Sequence, residues 1–370
     1  MRERSSMRII GKLLRLILLI LNILICCGLI ISGYSSRINP SLHSVWSISH
    51  LFFPFLLLGT VAFLVFWLFV IRKFFIISLL AIVLCANPIY TYIPFHLSNP
   101  KAPVGSIKFL TFNTEGFNNY QYKKNGDPNE VLVYLQESDA DIICLQECIF
   151  QGKLTKDVVE KAMKKYKYRA YYDFGAHNGL GIFSRFKILS IEPVHYKSAN
   201  NCSIAYTLDI KGDTILLINN HFESNKLSSK DKQVYKDMVL NPKSKTVESG
   251  AKLLINKLAK ASALRALQAD SVAKFITESK IKNKIVCGDF NDSPLSYVHR
   301  RIVGKGLIDA FVNSGNGIGV SYNKSGMYVR IDHILVSKGF KTYQCTVDRS
   351  AKCSDHYPVW CYIKKKNASD

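Results

Sequence analysis

Acidic residues are scarce in this chain of 370 residues: 27 Asp and Glu stand against 49 Lys and Arg, a formal net charge of +22. So basic a balance leaves polyanions as the charged partners, either nucleic acid or an anionic membrane surface. A solvated lysine-rich surface would give the same count, so charge alone names no substrate. Regular cysteine spacing is also missing. Seven of the ten cysteines lie beyond residue 105, at 144, 148, 202, 287, 345, 353 and 361, an odd number that argues against a disulfide framework. Cys144 and Cys287 sit in apolar strand-like runs, where a thiol is a small core residue and a poor nucleophile. There is no internal repeat and no low-complexity tract, which sets aside repeat arrays and disordered polymers.

Charge is wholly absent from Leu51 to Ile71 and nearly so from Leu13 to Ile31. About 20 residues of helix cross a hydrocarbon core, so both segments are long enough to span. A third apolar stretch, Phe74 to Phe95, is interrupted by Asn87-Pro88, and Pro88 should kink or end its helix. The expected spans are 13–33, 51–71 and 74–95, within a membrane anchor of residues 1–96 followed by a linker at 97–106. No small-residue cleavage pattern follows the first segment, which argues against a removed signal peptide. Lipoprotein processing at Cys26 or Cys27 lacks the small residue it needs just before the cysteine. Arg2, Arg4, Arg8, Lys12 and Arg15 precede the first span and Arg72-Lys73 separate the second from the third, whereas Ser32 to His50 holds only Arg37. The positive-inside rule therefore places the N-terminus in the cytoplasm and, after three crossings of an inner or plasma membrane, the remainder outside. If the third segment does not cross, this sidedness inverts. The irregular cysteines pull the other way, since an oxidising compartment usually shows regular pairs.

Beyond residue 106 short β-branched runs alternate with helical spacing. Strands are expected over 107–113, 142–146, 181–184, 204–210, 214–219, 284–287 and 331–336. Helices are expected over 131–137, 155–166 and 250–279, the last with Leu254, Leu258, Val272 and Phe275 among its core-facing stripe. Lys226 to Lys245 has little periodicity and reads as a loop within a long insertion, 223–258.

Polar motifs fall where these strands end: Asn113-Thr114-Glu115, Gln146-Glu147, Asn220-His221, Gly288-Asp289-Phe290-Asn291 and Ser354-Asp355-His356. Loops at strand ends carry function on a rigid scaffold. Hydrolysis of a phosphate ester needs its oxygens neutralised, a water aimed in line and the departing oxygen stabilised. Hard oxygen ligands for Mg²⁺ or Mn²⁺ meet the first need. Glu147 is best placed as a ligand, with Asn113 and Glu115 alongside. Asp289 is placed to orient or deprotonate water, with Asn291 on the same side of an extended chain. Asp332 is a natural orienter of the His356 imidazole. His221 can donate to a phosphoryl oxygen or to the leaving group. Each signal is weak singly, because a Gln-Glu pair, a lone His and an Asp-Phe-Asn turn all have structural uses.

In order from Ile107 to about Ile363, the stretches F-L-T-F-N-T-E-G-F, I-C-L-Q-E, G-I-F-S-R, N-N-H-F-E-S, G-D-F-N-D, R-I-D-H-I-L-V-S and S-D-H-Y-P-V resemble the motifs of the endonuclease/exonuclease/phosphatase superfamily. With its anchor, the chain also resembles a membrane-bound bacterial branch of that group. The resemblance implies a four-layer α/β sandwich (deoxyribonuclease I-like) over 107–364, a tail at 365–370, and a divalent-metal site at one rim of two packed sheets. It implies His221, Asp289, Asn291, Asp332 and His356 as catalytic, and Asn113, Glu147, Asp355 and Glu115 as ligands of Mg²⁺ or Mn²⁺. Substrate contacts are assigned to Asn220, Asn323 and Arg330. His333 stands where many members carry an aromatic residue and reads as a strand residue. Arg265 and Gln268, one helical turn apart, read as ties between helix and sheet.

The expected function is phosphodiester hydrolysis by a membrane-tethered enzyme, with nucleic acid as the substrate because the soluble part is basic. A phospholipid or sphingolipid phosphodiesterase, or an inositol-phosphate phosphatase, is the alternative, since an anchored site meets headgroups at high effective concentration. A catalytically silent binding module would have lost metal or base residues, and here every expected position is filled.

Overall fold

The computed structural model describes residues 2–119, 128–175, 178–228, 230–231, 233–234, 245–304, 306–324 and 327–366. It opens with α1 (Arg2–Gly33), α2 (Phe53–Val70), α3 (Phe75–Leu84) and α4 (Ala86–Tyr92). By length and composition, the helical segments Ser6–Gly33 and Ser44–Val70 can each cross a bilayer, and Arg72–Tyr92 is a third, broken candidate bent by 61°. The break has a local cause. Pro88 lacks an N–H and its ring clashes with the carbonyl four residues back, that of Leu84, where α3 ends. Leu24, Leu58 and Phe69 point away from the protein, which suits hydrocarbon rather than water. Inside the bundle the Ser78 hydroxyl donates to Asn22 Oδ1 at 2.9 Å, a polar tie between α1 and α3 of the kind that holds membrane helices together.

The rest is built on two sheets. In the first, β1 (Ile107–Asn113) pairs parallel with β2 (Ile142–Gln146) and antiparallel with β14 (Val359–Lys365). β4 (Asn178–Ser184) and β3 (Tyr168–Gly175) extend it on one side, and β13 (Phe340–Val347) closes the other. The second sheet runs β5 (Lys187–Pro193), β6 (Cys202–Ile210), β7 (Asp213–His221), β8 (Asn283–Asp289), β12 (Asp332–Ser337) and β9 (Leu307–Asp309). A separate hairpin joins β10 (Tyr322–Lys324) to β11 (Met327–Val329).

Alternating side chains make the layers. Phe109, Ile142, Cys144 and Ile182 of the first sheet meet Tyr206, Leu217, Ile285 and Ile334 of the second in one buried cluster. Leu110, Ile143 and Phe183 face the other way, toward α5 (Glu130–Glu137) and α6 (Lys156–Ala162). Leu216, Val286 and Leu335 likewise face α7 (Lys245–Glu278) and α8 (Tyr297–Val303). Helix, sheet, sheet and helix form the four-layer sandwich expected from the motifs.

Every strand and helix expected beyond residue 106 overlaps an observed element of its type, although the helix expected over 155–166 ends at Ala162. Of the insertion, residues 229, 232 and 235–244 fall outside the described residues, as do residues 367–370 of the tail. Its described part is tied down where Lys257 reaches Asp231 at 2.6 Å. Leu217 has no exposed surface in the cluster between the sheets. Leu217→Ala should therefore lower stability by about 3 kcal/mol, read from urea or thermal unfolding. A loss below about 1 kcal/mol would mean that the two sheets do not share this core.

Candidate active site

Four strand ends and one returning loop meet at a single rim. β1 delivers Asn113, β2 leads to Glu147, β7 ends on His221, β8 ends on Asp289, and the loop before β14 carries Asp355 and His356. Because β12 runs antiparallel to β8, Asp332 stands directly opposite Asp289. The end of β8 needs its glycine. Gly288 has a φ of +120°, and a Cβ there would fall 2.0 Å from the Asn220 carbonyl oxygen, so no other residue fits.

Asn113 joins the two sheets. Its Nδ2 donates to Glu147 Oε1 at 3.3 Å and to Asp289 Oδ2 at 3.1 Å. Asn291 holds Asp289 from the other side, with its N–H on Oδ1 at 2.7 Å and its Nδ2 on Oδ2 at 3.2 Å. Its amide also donates to the Phe222 carbonyl at 2.9 Å. Two imidazoles flank the carboxylate: His221 Nε2 and His356 Nε2 lie 3.8 Å and 3.7 Å from Asp289 Oδ2. His356 Nδ1 donates to Asp332 Oδ2 at 2.8 Å.

Burial sets the protonation of this group. It raises the Asp289 carboxyl to about 6, helped by the like charge of Asp332 and opposed by both imidazoles. Burial would lower His356, but the Asp332 and Asp289 carboxylates outweigh it and push the imidazole up to about 10. His221 is lowered, chiefly by burial. Glu147, a third of whose side chain is exposed, is raised by burial despite the nearby His356 charge and the Asn113 amide.

Expectation and structure differ at several positions. His221 Nδ1 donates to Asn178 Oδ1 at 2.9 Å, so the neutral ring turns a bare Nε2 toward the acids. The expected donor role would need the protonated ring, which burial opposes. Glu115 and Asp355 do not face an open ligand site: the Lys324 ammonium lies between them, 2.5 Å from Glu115 Oε1 and 3.3 Å from Asp355 Oδ2. Asn220 has no exposed surface and donates to the Cys287 carbonyl at 2.8 Å, which removes it from substrate contact. Asn323 commits its amide nitrogen to the Tyr357 hydroxyl. Arg330 is buried, with its guanidinium on the Ile318 and Thr91 carbonyls at 2.9 and 2.6 Å and over the Phe311 ring. It is a tie to the apolar helices and not a substrate contact.

His333 is buried within β12, and its Nε2 donates to the Asp292 carbonyl at 3.0 Å. Arg265 donates from Nε to Asp292 Oδ2 at 3.1 Å and from Nη1 to the Glu223 carbonyl at 3.0 Å. Gln268 Oε1 accepts from the Glu223 N–H at 2.8 Å. These two residues tie the helix to the loops that follow β7 and β8. Asn178 and Lys324 escaped the sequence reading, because each acts across elements distant in the chain.

The carboxylates of Glu147 and Asp289 suit a hard divalent cation, whereas the Asn113 amide oxygen accepts the Glu115 N–H at 3.1 Å. Two buried oxygens here, Asp332 Oδ1 and Asn220 Oδ1, have no hydrogen-bond partner among the described residues, so the polarity of the site is not fully met by those residues.

The family model for the endonuclease/exonuclease/phosphatase family matches residues 110–356. A model for a domain of unknown function matches residues 15–92. No curated protein matches the chain. Among solved structures, it is similar to an endonuclease/exonuclease/phosphatase from Beutenbergia cavernae at 13% identity, covering 71% of this chain and 72% of that one with a TM-score of 0.50. The human Nocturnin catalytic domain is similar at 15% identity, 70% and 95% coverage and a TM-score of 0.48. A mannosyl-6-phosphatase from Bacteroides thetaiotaomicron is similar at 18% identity, 70% and 100% coverage and a TM-score of 0.45.

Two outcomes follow from the side-chain contacts. Arg330→Ala should lower stability by about 3 kcal/mol through lost charged hydrogen bonds, with KM unchanged; a raised KM at full stability would restore the substrate role. The raised His356 pKa stabilises the fold fully below its unfolded value near 6.5, and that contribution is lost as pH rises toward about 10. In chelator, the Tm should fall over this window, and Asp332→Asn should flatten the fall. An unchanged slope would separate His356 from Asp332.

Proposed function

The chain belongs to the endonuclease/exonuclease/phosphatase family and is a phosphoric ester hydrolase; from that premise we propose a membrane-anchored, divalent-metal-dependent phosphodiesterase acting at the bilayer surface. The observation that carries the reading is the meeting of Asn113, Glu147, His221, Asp289 and His356 at one rim, within hydrogen-bonding or ion-pair reach of one another.

Asp289 accepts the proton of the attacking water. Its carboxyl, raised to about 6, is ionised at neutral pH yet a stronger base than an ordinary carboxylate. Asn291 fixes its orientation through two hydrogen bonds. His356, kept cationic by Asp332, offers charge to the phosphoryl oxygens. Glu147 would hold the metal with the Asn113 amide beside it, while Glu115 and Asp355 are paired with the Lys324 ammonium. When bound, Mg²⁺ or Mn²⁺ supplies Lewis-acid stabilisation of the phosphoryl charge.

The anchor comprises residues 1–96, and 107–364 form the catalytic domain. Sidedness is supported twice. The segment between α1 and α2 touches the domain, as in the Ser47 to Ser262 contact at 3.5 Å. So does the chain after α4, where His96 Nε2 meets the Val312 carbonyl at 3.0 Å. Both ends therefore lie on the domain's side, as three crossings require, and the basic residues at 2–15 and 72–73 assign the other side to the cytoplasm. Buried thiols remove the objection from cysteine. Burial pushes Cys202 up to about 12 and Cys353 to about 11, so little thiolate exists to oxidise outside.

For the substrate, position outweighs charge. Leu295, six residues after Asp289, is buried with Leu29 of α1, Phe53 of α2 and Cys85 at the end of α3. Six residues reach at most about 21 Å, so the active site lies within headgroup distance of the apolar bundle. A phosphoester presented by the membrane is favoured. The basic composition supports nucleic acid as the second reading.

Full-length protein in detergent should hydrolyse phosphodiesters with Mg²⁺ or Mn²⁺, stop in chelator, and lose at least about 10³-fold in kcat in Asp289→Asn. Its kcat/KM should fall on the acid side through about pH 6, where the Asp289 carboxyl takes up its proton. A panel of lipid headgroup esters, single- and double-stranded DNA and RNA separates the two substrates. Near-native turnover in Asp289→Asn would remove the water-activating assignment.

A further inference from the structure

We propose that His50, at the head of the second apolar helix, is a positioning residue of the active site, so that the segment between the first two apolar helices is a working part of the catalytic centre. The inference rests on Asp289 as the water-activating carboxylate.

The geometry begins at Asp292, three residues beyond Asp289 and next to Asn291. Its carboxylate is buried and held from two sides. Arg265 Nε lies 3.1 Å from Oδ2, and His50 Nε2 lies 3.3 Å from Oδ1. Oδ1 also accepts the Ser293 N–H at 3.0 Å. The other imidazole nitrogen, His50 Nδ1, meets Ser293 Oγ at 2.9 Å. His50 therefore grips two successive residues of the loop that starts at Asp289, and it is itself only 3% exposed. One ring nitrogen thus faces the carboxylate and the other meets the serine hydroxyl.

Two residues further, Leu295 enters the apolar cluster formed by Leu29, Phe53, Ala81 and Cys85. The far end of the catalytic loop is thus clamped by a hydrogen-bonded imidazole and then by apolar packing, both from the anchor. Its near end orients Asp289 through Asn291. A loop fastened this way transmits any shift of the anchor to the carboxylate, and displacement of a reacting group by about 1 Å costs up to about 10²-fold in rate. The polar contacts of His50 go to Asp292 and Ser293, so His50 acts through this loop and not on substrate.

The test uses the full-length chain in detergent. His50→Ala should lower kcat about tenfold or more with KM within about twofold of wild type. His50→Gln should recover most of the loss, because its side-chain amide supplies one donor for Asp292 and one acceptor for Ser293. Ser47→Ala removes a different contact between anchor and domain and should leave kcat unchanged. Ser293→Ala cuts half of the grip and should fall between, which keeps the proposal testable if His50→Ala does not fold. Wild-type kcat in both His50→Ala and Ser293→Ala overturns the proposal. Equal losses in His50→Ala, His50→Gln and Ser47→Ala also overturn it, since that pattern marks general packing. Asp289→Asn is measured beside them: if it is inactive while the His50 variants are not impaired, the positioning role fails alone, and if it is active the assignment beneath it fails.

Discussion

The polar seam between the two sheets is the constraint on which the rest depends. Most of the inter-sheet space is filled by apolar side chains, which pack well in many registers. At one rim the filling changes. Gln146 Nε2 donates to Asn219 Oδ1 at 2.5 Å and to Thr111 Oγ1 at 3.1 Å, and Asn219 Nδ2 returns to the Leu145 carbonyl at 3.0 Å. Buried amides tolerate few alternatives, because each lost partner leaves a desolvated group unpaired. The seam therefore fixes how β1 and β2 face β7, and Asn113 can then bridge Glu147 and Asp289 from opposite sheets.

That bridge concentrates like charge. Asp289 and Asp332 stand opposite each other on paired strands, Glu147 is nearby, and all are partly or fully withdrawn from water. His356 answers part of the repulsion, being held between Asp332 and Asp289 as a cation. The overall charge of +22 does not answer it, because the lysines are on the surface and screened. Lys324 answers a separate part, the Glu115 and Asp355 pair, from across a hairpin. The site is a local inversion of the chain's overall sign, and a divalent cation is the kind of group whose charge such an arrangement complements.

The sequence made the chemistry visible where a residue type and a strand end coincide. Asn113, Asp289, Asn291 and His356 are legible because each directly follows an apolar β-branched run or belongs to an ordered motif. Strands β1, β2, β7, β8 and β12 were legible for the same reason, whereas β14, also central in its sheet, was not expected. The edge strand Lys187–Pro193 was not, since its pattern of exposure leaves little apolar alternation to read. Long-range partners were equally silent: Asn178 for His221, and Lys324 for Glu115, are neighbours only after folding. Arg330 misled because it heads a strand carrying a catalytic-site aspartate, yet its side chain turns to Thr91 in the chain after α3. Conversely, the kink near Pro88 was legible, because the proline ring acts on the carbonyl four residues before it.

His50 shows why an anchor can be more than a tether. A flexible linker would raise the local concentration of substrate without touching the catalytic loop. Here the linker at 97–106 is joined by further contacts, among them those of Ser47, His50, Arg330 and His96, so the domain is seated on the helices and not merely leashed to them. Seating costs the domain its freedom to turn toward bulk solvent, and it fixes which way the rim faces. With Leu295 lodged in the bundle, the cleft cannot move away from the apolar helices without breaking apolar packing and a buried polar network together. An enzyme acting on dissolved polymers gains nothing from that restriction, whereas one acting on phosphoesters delivered by the bilayer gains a fixed approach to them.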